Sequence, residues 1–158
     1  MTHLLLLRHS LATLAYRTLR AVHRAPEGFA AFRAGAGSRT AGEILAHMGD
    51  LMDWGARHVE GGGAWVEVPA GEWEADKERF FAAVTRFDSA VKARGENAGA
   101  ELAARLLQGP IADALSHAGQ INLLRGLAGA PVRGENYYAA DIVPGRTTMI
   151  QPPPLRTY

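Results

Sequence analysis

Three stretches of this chain space their apolar residues three and four apart, and that period most limits what it can fold into. Leu4, Leu7, Leu11 and Leu14 form one such stripe, Ile44, Met48, Leu51, Met52 and Val59 a second, and Phe80, Val84, Phe87 and Val91 a third. Residues at these intervals share one face of an α-helix, so each stretch predicts an amphipathic helix with a single side to bury. The first helix is expected over about 2–23, ending before Pro26 and Gly28. The second has a local start signal, "TAGE", a capping box with Thr40 as N-cap and Glu43 at the third helical position; Gly61 to Gly63 stop it. The third is expected over about 72–93. A fourth helical stretch, about 100–128, is interrupted by "QGP", where Pro110 predicts a kink or a fresh start. Gly129 and Pro131 end it.

The segments between these helices offer little else. "AWVEVPAGEW" alternates briefly but is too short to found a sheet, and reads as a crossover loop. The tail has no helical period and carries three consecutive prolines; Tyr137 and Tyr138 are the expected anchors by which it packs back on the body. Four amphipathic helices with almost no strand define an all-α four-helix bundle with an irregular C-terminal tail. The division expected is one bundle domain over 1–145 and a Pro-rich tail over 146–158.

Composition removes several classes of function. A length of 158 residues suits one domain with a proper core. Its 17 basic and 16 acidic residues leave a net charge of +1, which gives no footprint for nucleic acid or an anionic membrane. With no cysteine, disulfides, thiolate metal sites and cysteine nucleophiles are excluded, and a cytoplasmic location is the expectation. The opening apolar run, Leu4 to Leu7, is too short and too soon broken by Arg8 and His9 to be a signal or a span. Consecutive leucines do leave helix one apolar all round, which a second subunit could cover.

The chemistry that remains lies in "GPIADALSHAGQINLLRGLAGAPV", residues 109–132. Asp113 and His117 stand at i and i+4, one above the other on the same helical face, with Gln120 and Leu124 continuing the stripe. That spacing offers one divalent ion a carboxylate oxygen and an imidazole nitrogen from adjacent turns. His47, near the apolar face of helix two, is the candidate third ligand, and three protein ligands leave positions open for substrate. Asp50, one turn beyond His47, reads either as its orienting partner or, more simply, as a solvated charge. The alternative for Asp113 and His117 is a hydrogen-bonded pair with no ion. His3, His9, His23 and His58 have no comparable pattern and read as surface or packing residues. Ser116 points away from His117 and is not a nucleophile served by it. Trp54 reads as core or pocket lining.

The segments "TAGEILAHMGDLMDW", "GPIADALSHAGQINLLRGLAGAPV" and "GENYYAADI" together resemble the DinB/YfiT-like metalloenzyme family, over the chain from helix one to about Gly145. The resemblance implies a four-helix bundle of permuted up-and-down order, often homodimeric, holding nickel or zinc through three histidines. Some relatives are thiol-dependent transferases or isomerases. Carried over by position, His47 matches the ligand of helix two and His117 the second histidine of helix four. The first histidine of that pair falls on Asp113, a departure from the pattern. A carboxylate still serves zinc, nickel, iron or manganese, or else marks a member that has lost its metal. The resemblance therefore implies a metal-dependent enzyme with ligands His47, Asp113 and His117, and Gln120 against a small-molecule substrate or thiol cofactor. Arg125 and Arg133 could supply a basic mouth for that cofactor. Against this stands a metal-free bundle that binds a small ligand or a protein partner.

Overall fold

A computed structural model describes residues 2–95 and 99–158. Four long helical stretches carry the fold: α1 (His3–Val22), α2 (Ala41–Glu60), α3 (Trp73–Arg94), and a last stretch made of α4 (Ala100–Leu106) and α5 (Ala112–Leu127). Among the described residues the one β contact is an isolated bridge between Glu135 and Thr157. No helix among them is long and apolar enough to cross a membrane.

The helices pack as a ring in which α1 lies against α3 and α5, and α2 against the same two. The consecutive helices α1 and α2 therefore stand diagonally across the bundle and share little surface. An up-and-down bundle with short loops would place them side by side, so the chain order around the bundle is permuted. The 3₁₀ turn at Phe29–Ala31 spans that crossing; its buried Phe29 stacks with Phe32 and meets Trp73 edge-on at 5.5 Å.

The apolar stripes expected from the sequence face the interior. Leu7, Leu11 and Leu14 of α1, Ile44, Met48, Leu51, Met52 and Val59 of α2, and Phe80, Val84, Phe87 and Val91 of α3 are all buried in one core. Leu5 and Leu6 are the outer side of the leucine run, 43% and 42% exposed. Gly55 lets α2 and α3 approach: a Cβ there would collide with the Phe87 ring. The capping box at the start of α2 forms as expected. Glu43 N–H donates to Thr40 Oγ1 at 3.1 Å, and Thr40 N–H donates to Glu43 Oε2 at 2.6 Å.

At Pro110 the helix neither stops nor restarts. Residues Leu107–Ile111 form a π-helical turn that joins α4 to α5 without a break. The wider turn accommodates the proline ring and its missing N–H, and shifts the facing of every residue after it. Asp113 and His117 lie just beyond.

Residues 61–72 contain no strand, in keeping with a crossover loop. The chain after α5 lies along α1 and α3. Glu135 is buried, accepting from Tyr16 Oη at 2.5 Å and facing Arg20 Nε at 3.4 Å, while Arg20 also donates to Pro152 O. The hydroxyls of Thr147 and Thr85 are 2.9 Å apart. Of the two expected aromatic anchors, only Tyr137 is one. It sits edge-on to Tyr16 with the Arg17 guanidinium 4.4 Å from its ring centre, whereas Tyr138 is fully exposed. The pair lies in a 3₁₀ turn, Tyr137–Ala139, whose neighbouring side chains diverge.

Candidate metal centre

Helices α2 and α5 pack against each other, and their contact brings His47 to Asp113 and His117. One ligand atom from each of the three lies within 4.8 Å of the others. His117 Nε2 is 3.4 Å from Asp113 Oδ1, and His47 Nε2 is 3.8 Å from Asp113 Oδ2. The two imidazoles meet nearly at right angles, with ring centres 5.0 Å apart. His117 is buried, His47 keeps 19% of its side chain exposed and Asp113 49%. The donors thus sit at the rim of the bundle, open on the Asp113 side.

The surrounding hydrogen bonds suit a cation. His117 Nδ1 lies 2.8 Å from Gln120 Oε1, a carbonyl oxygen that can only accept, so Nδ1 carries the proton. In that tautomer of the neutral ring, Nε2 turns its lone pair toward an Asp113 carboxylate oxygen, and either a proton or a metal ion between the two satisfies both. Ligands around a tetrahedral ion with bonds of about 2.0–2.1 Å stand about 3.3 Å apart. The His117–Asp113 separation of 3.4 Å is close to that spacing, whereas His47 stands farther out, 3.8 Å from the other carboxylate oxygen. His47 is held below the ordinary histidine pKa, first by burial and then by the positive field of Arg39, which favours the neutral form that ligates a metal. Two imidazoles and one carboxylate can hold a divalent ion of the zinc, nickel, iron or manganese type.

Two concavities flank the cluster. On the His47 side a polar cleft of about 620 Å³ runs between the loop at Arg33–Arg39 and the loop at Glu67–Ala70. On the His117 side lies an apolar groove of about 350 Å³, walled by Ile44, Leu123 and Leu124 and reached by Gln120. Ser38 and Arg39 border both.

Several residues take roles that the sequence did not indicate. Asp50 is neither solvated nor bonded to His47. It is 2% exposed, accepting from Arg79 Nη1 at 2.8 Å and from the Val68 N–H at 3.3 Å. Arg79 also donates to Ala46 O, so this pair ties α3 and the 61–72 loop to α2 beside the site. That loop carries Trp65, whose ring centre is 5.6 Å from that of His47 and 5.8 Å from that of Trp54. No helical period marks Trp65, and nothing local pairs Asp50 with Arg79. Trp54 packs partly buried against the core, its Nε1 donating to Gly63 O at 2.9 Å. Arg125 is not at a mouth: it is buried and donates to the carbonyls of Ala21, His23, Arg24 and Ala130, closing the end of α1. Arg133 is exposed on the segment after α5, and His3, His9, His23 and His58 stay outside the cluster. Ser116 Oγ donates to Ala112 O, its helix's own backbone.

Compared with known proteins, the chain matches no family model, no curated protein and no solved structure.

Proposed function

We propose that this chain is a metal-dependent enzyme of the DinB/YfiT type, with a divalent ion held between α2 and α5 by His47, Asp113 and His117. The observation that carries the reading is the convergence of these three donors, with the Nδ1 proton of His117 already engaged by Gln120. In metal sites a ligating histidine commonly donates its second nitrogen in this way, which fixes the ring and aims the lone pair. The diagonal placement of α1 and α2 is compatible with the permuted bundle order of that family.

A bound ion would supply Lewis acidity to a thiol, a water or a carbonyl group, the chemistry of a thiol-dependent transferase or a hydrolase. This chain's own contribution is positional. Gln120 orients His117 through its carbonyl oxygen, and its amide nitrogen makes no hydrogen bond among the described residues, leaving it for substrate. Trp65 and the loop that bears it shield His47 from one side. Asp113, in place of the family's histidine, lowers the net charge of the ligand set and shifts its preference toward harder ions such as manganese and ferrous iron. The exposed Leu5 and Leu6 mark the face on which a homodimer would form.

Elemental analysis of protein purified without chelator, beside a His117→Ala variant, tests the reading. The expected result is about one equivalent of metal, lost in the variant. Absence of metal in the wild type, even when offered in excess, overturns it, and the metal-free ligand-binding bundle then takes its place.

A further inference from the structure

We propose that the site takes a small carboxylate with an apolar tail, the head group beside His47 and Arg39 and the tail along the groove of Ile44, Leu123 and Leu124. The head-group position rests on the metal-site reading above; the groove stands on its own walls. Three observations carry the assignment.

The first is the contrast between the two concavities and their meeting at one place. A polar cleft and an apolar groove abut at Ser38 and Arg39, with His47 lining one and His117 the other. A ligand reaching the donors from the groove side must cross from apolar to polar surroundings, which an amphipathic molecule matches. The second is charge. Two neutral imidazoles and one carboxylate leave a divalent ion with net positive charge. Arg39 adds to it, making no hydrogen bond or ion pair among the described residues while its field reaches His47. The carboxylates of the cleft only partly offset this: Asp50 is taken by Arg79, Glu67 stands on the opposite loop, and Glu43, capped on the Thr40 N–H, lies in the field of two cations, Arg33 and Arg39. The third is Leu123. It is 64% exposed and, with Ile44 and Leu124, makes a concave apolar wall beside the polar ends of His117 and Gln120, the kind of lining that takes a ligand tail.

Binding of octanoate, followed by titration calorimetry on metal-loaded and chelator-treated protein, tests the proposal, with acetate and 1-octanol as comparisons and metal content measured on the same samples. Octanoate is expected to bind the loaded protein, weakening about fourfold for each methylene removed. Leu123→Asp, a surface change, should weaken octanoate at least about tenfold with metal content unchanged. Arg39→Ala should weaken octanoate several-fold and leave 1-octanol alone. Acetate binding as well as octanoate, or Leu123→Asp making no difference, overturns the groove. Equal affinity for octanoate and 1-octanol overturns the anionic head. Binding of a polar thiol such as glutathione that octanoate does not displace, with no octanoate bound, overturns both. If the wild type holds no metal yet octanoate binding depends on Leu123 and Arg39, the ligand assignment stands and the metal reading fails.

Discussion

Asp50→Ala should loosen the wall of the site without touching any of the three donors. Asp50 is 2% exposed and joins three elements, because it sits on α2, accepts from Arg79 of α3 and accepts from the Val68 N–H of the 61–72 loop. Removing one partner of a buried ion pair costs about 3–5 kcal/mol, mostly by leaving the other charge unmatched. Arg79 is better placed than that limit. Its side chain is 23% exposed, it keeps the Ala46 carbonyl at 2.6 Å, and Asp76 remains 3.8 Å away. The loss is therefore expected at about 2–3 kcal/mol, or a fall in Tm of roughly 5–10 °C for a domain of this size. Chemical denaturation of Asp50→Ala, Arg79→Met and the double variant measures the pair directly. The double variant should be less destabilised than the sum of the singles by about 1 kcal/mol or more. The loop should also open, so a protease that cuts after glutamate should cleave at Glu67 faster in Asp50→Ala than in the wild type. Additive single losses, or an unchanged cleavage rate, would refute the argument that this pair ties the loop to the bundle.

Two other changes follow from the same reading. Arg125→Met should cost about 2–4 kcal/mol by denaturation while leaving metal content intact, because three backbone carbonyls at the end of α1 and one after α5 lose their donor; loss of metal without loss of stability would place Arg125 in the site after all. For His47, the folded state lowers its pKa below the ordinary value of 6.5, mainly by burial. The unfolded chain then binds more protons, so the stability this group contributes to the metal-free protein is complete above that ordinary value and lost as pH falls through the folded one. Denaturation between pH 5 and 7.5 should show that slope, flattened in His47→Gln, and metal release should fall in the same acidic range as the ligands protonate.

What could be read from the chain was what depends on near neighbours. Thr40 and Glu43 are three residues apart, and a capping box needs nothing else, so the start of α2 was visible to the residue. Asp113, His117 and Gln120 share a face through helical geometry alone. Pro110 was visible as a disturbance, but whether the chain would break or widen there depended on whether the neighbouring helices could hold a π turn in place. Asp50 and Arg125 were misjudged for a common reason. A carboxylate on a helix flank looks solvated until its cation arrives from another helix, and an arginine near a site looks available until distant carbonyls claim it. Tyr137 and Tyr138 look alike in the sequence, and only the turn that bears them separates the half-buried ring from the exposed one.

The chain by itself determined four amphipathic helices, the cap of the second, an all-helical core and the stripe that carries Asp113 and His117, because these follow from period and local hydrogen bonding. Only the tertiary structure decided that His47 meets that stripe, that α1 and α2 stand across the bundle, that Asp50 is clasped by Arg79, and that a polar cleft meets an apolar groove at Arg39. Each of these is a contact between residues far apart in the chain, set by how helix faces pack and not by any spacing along one of them.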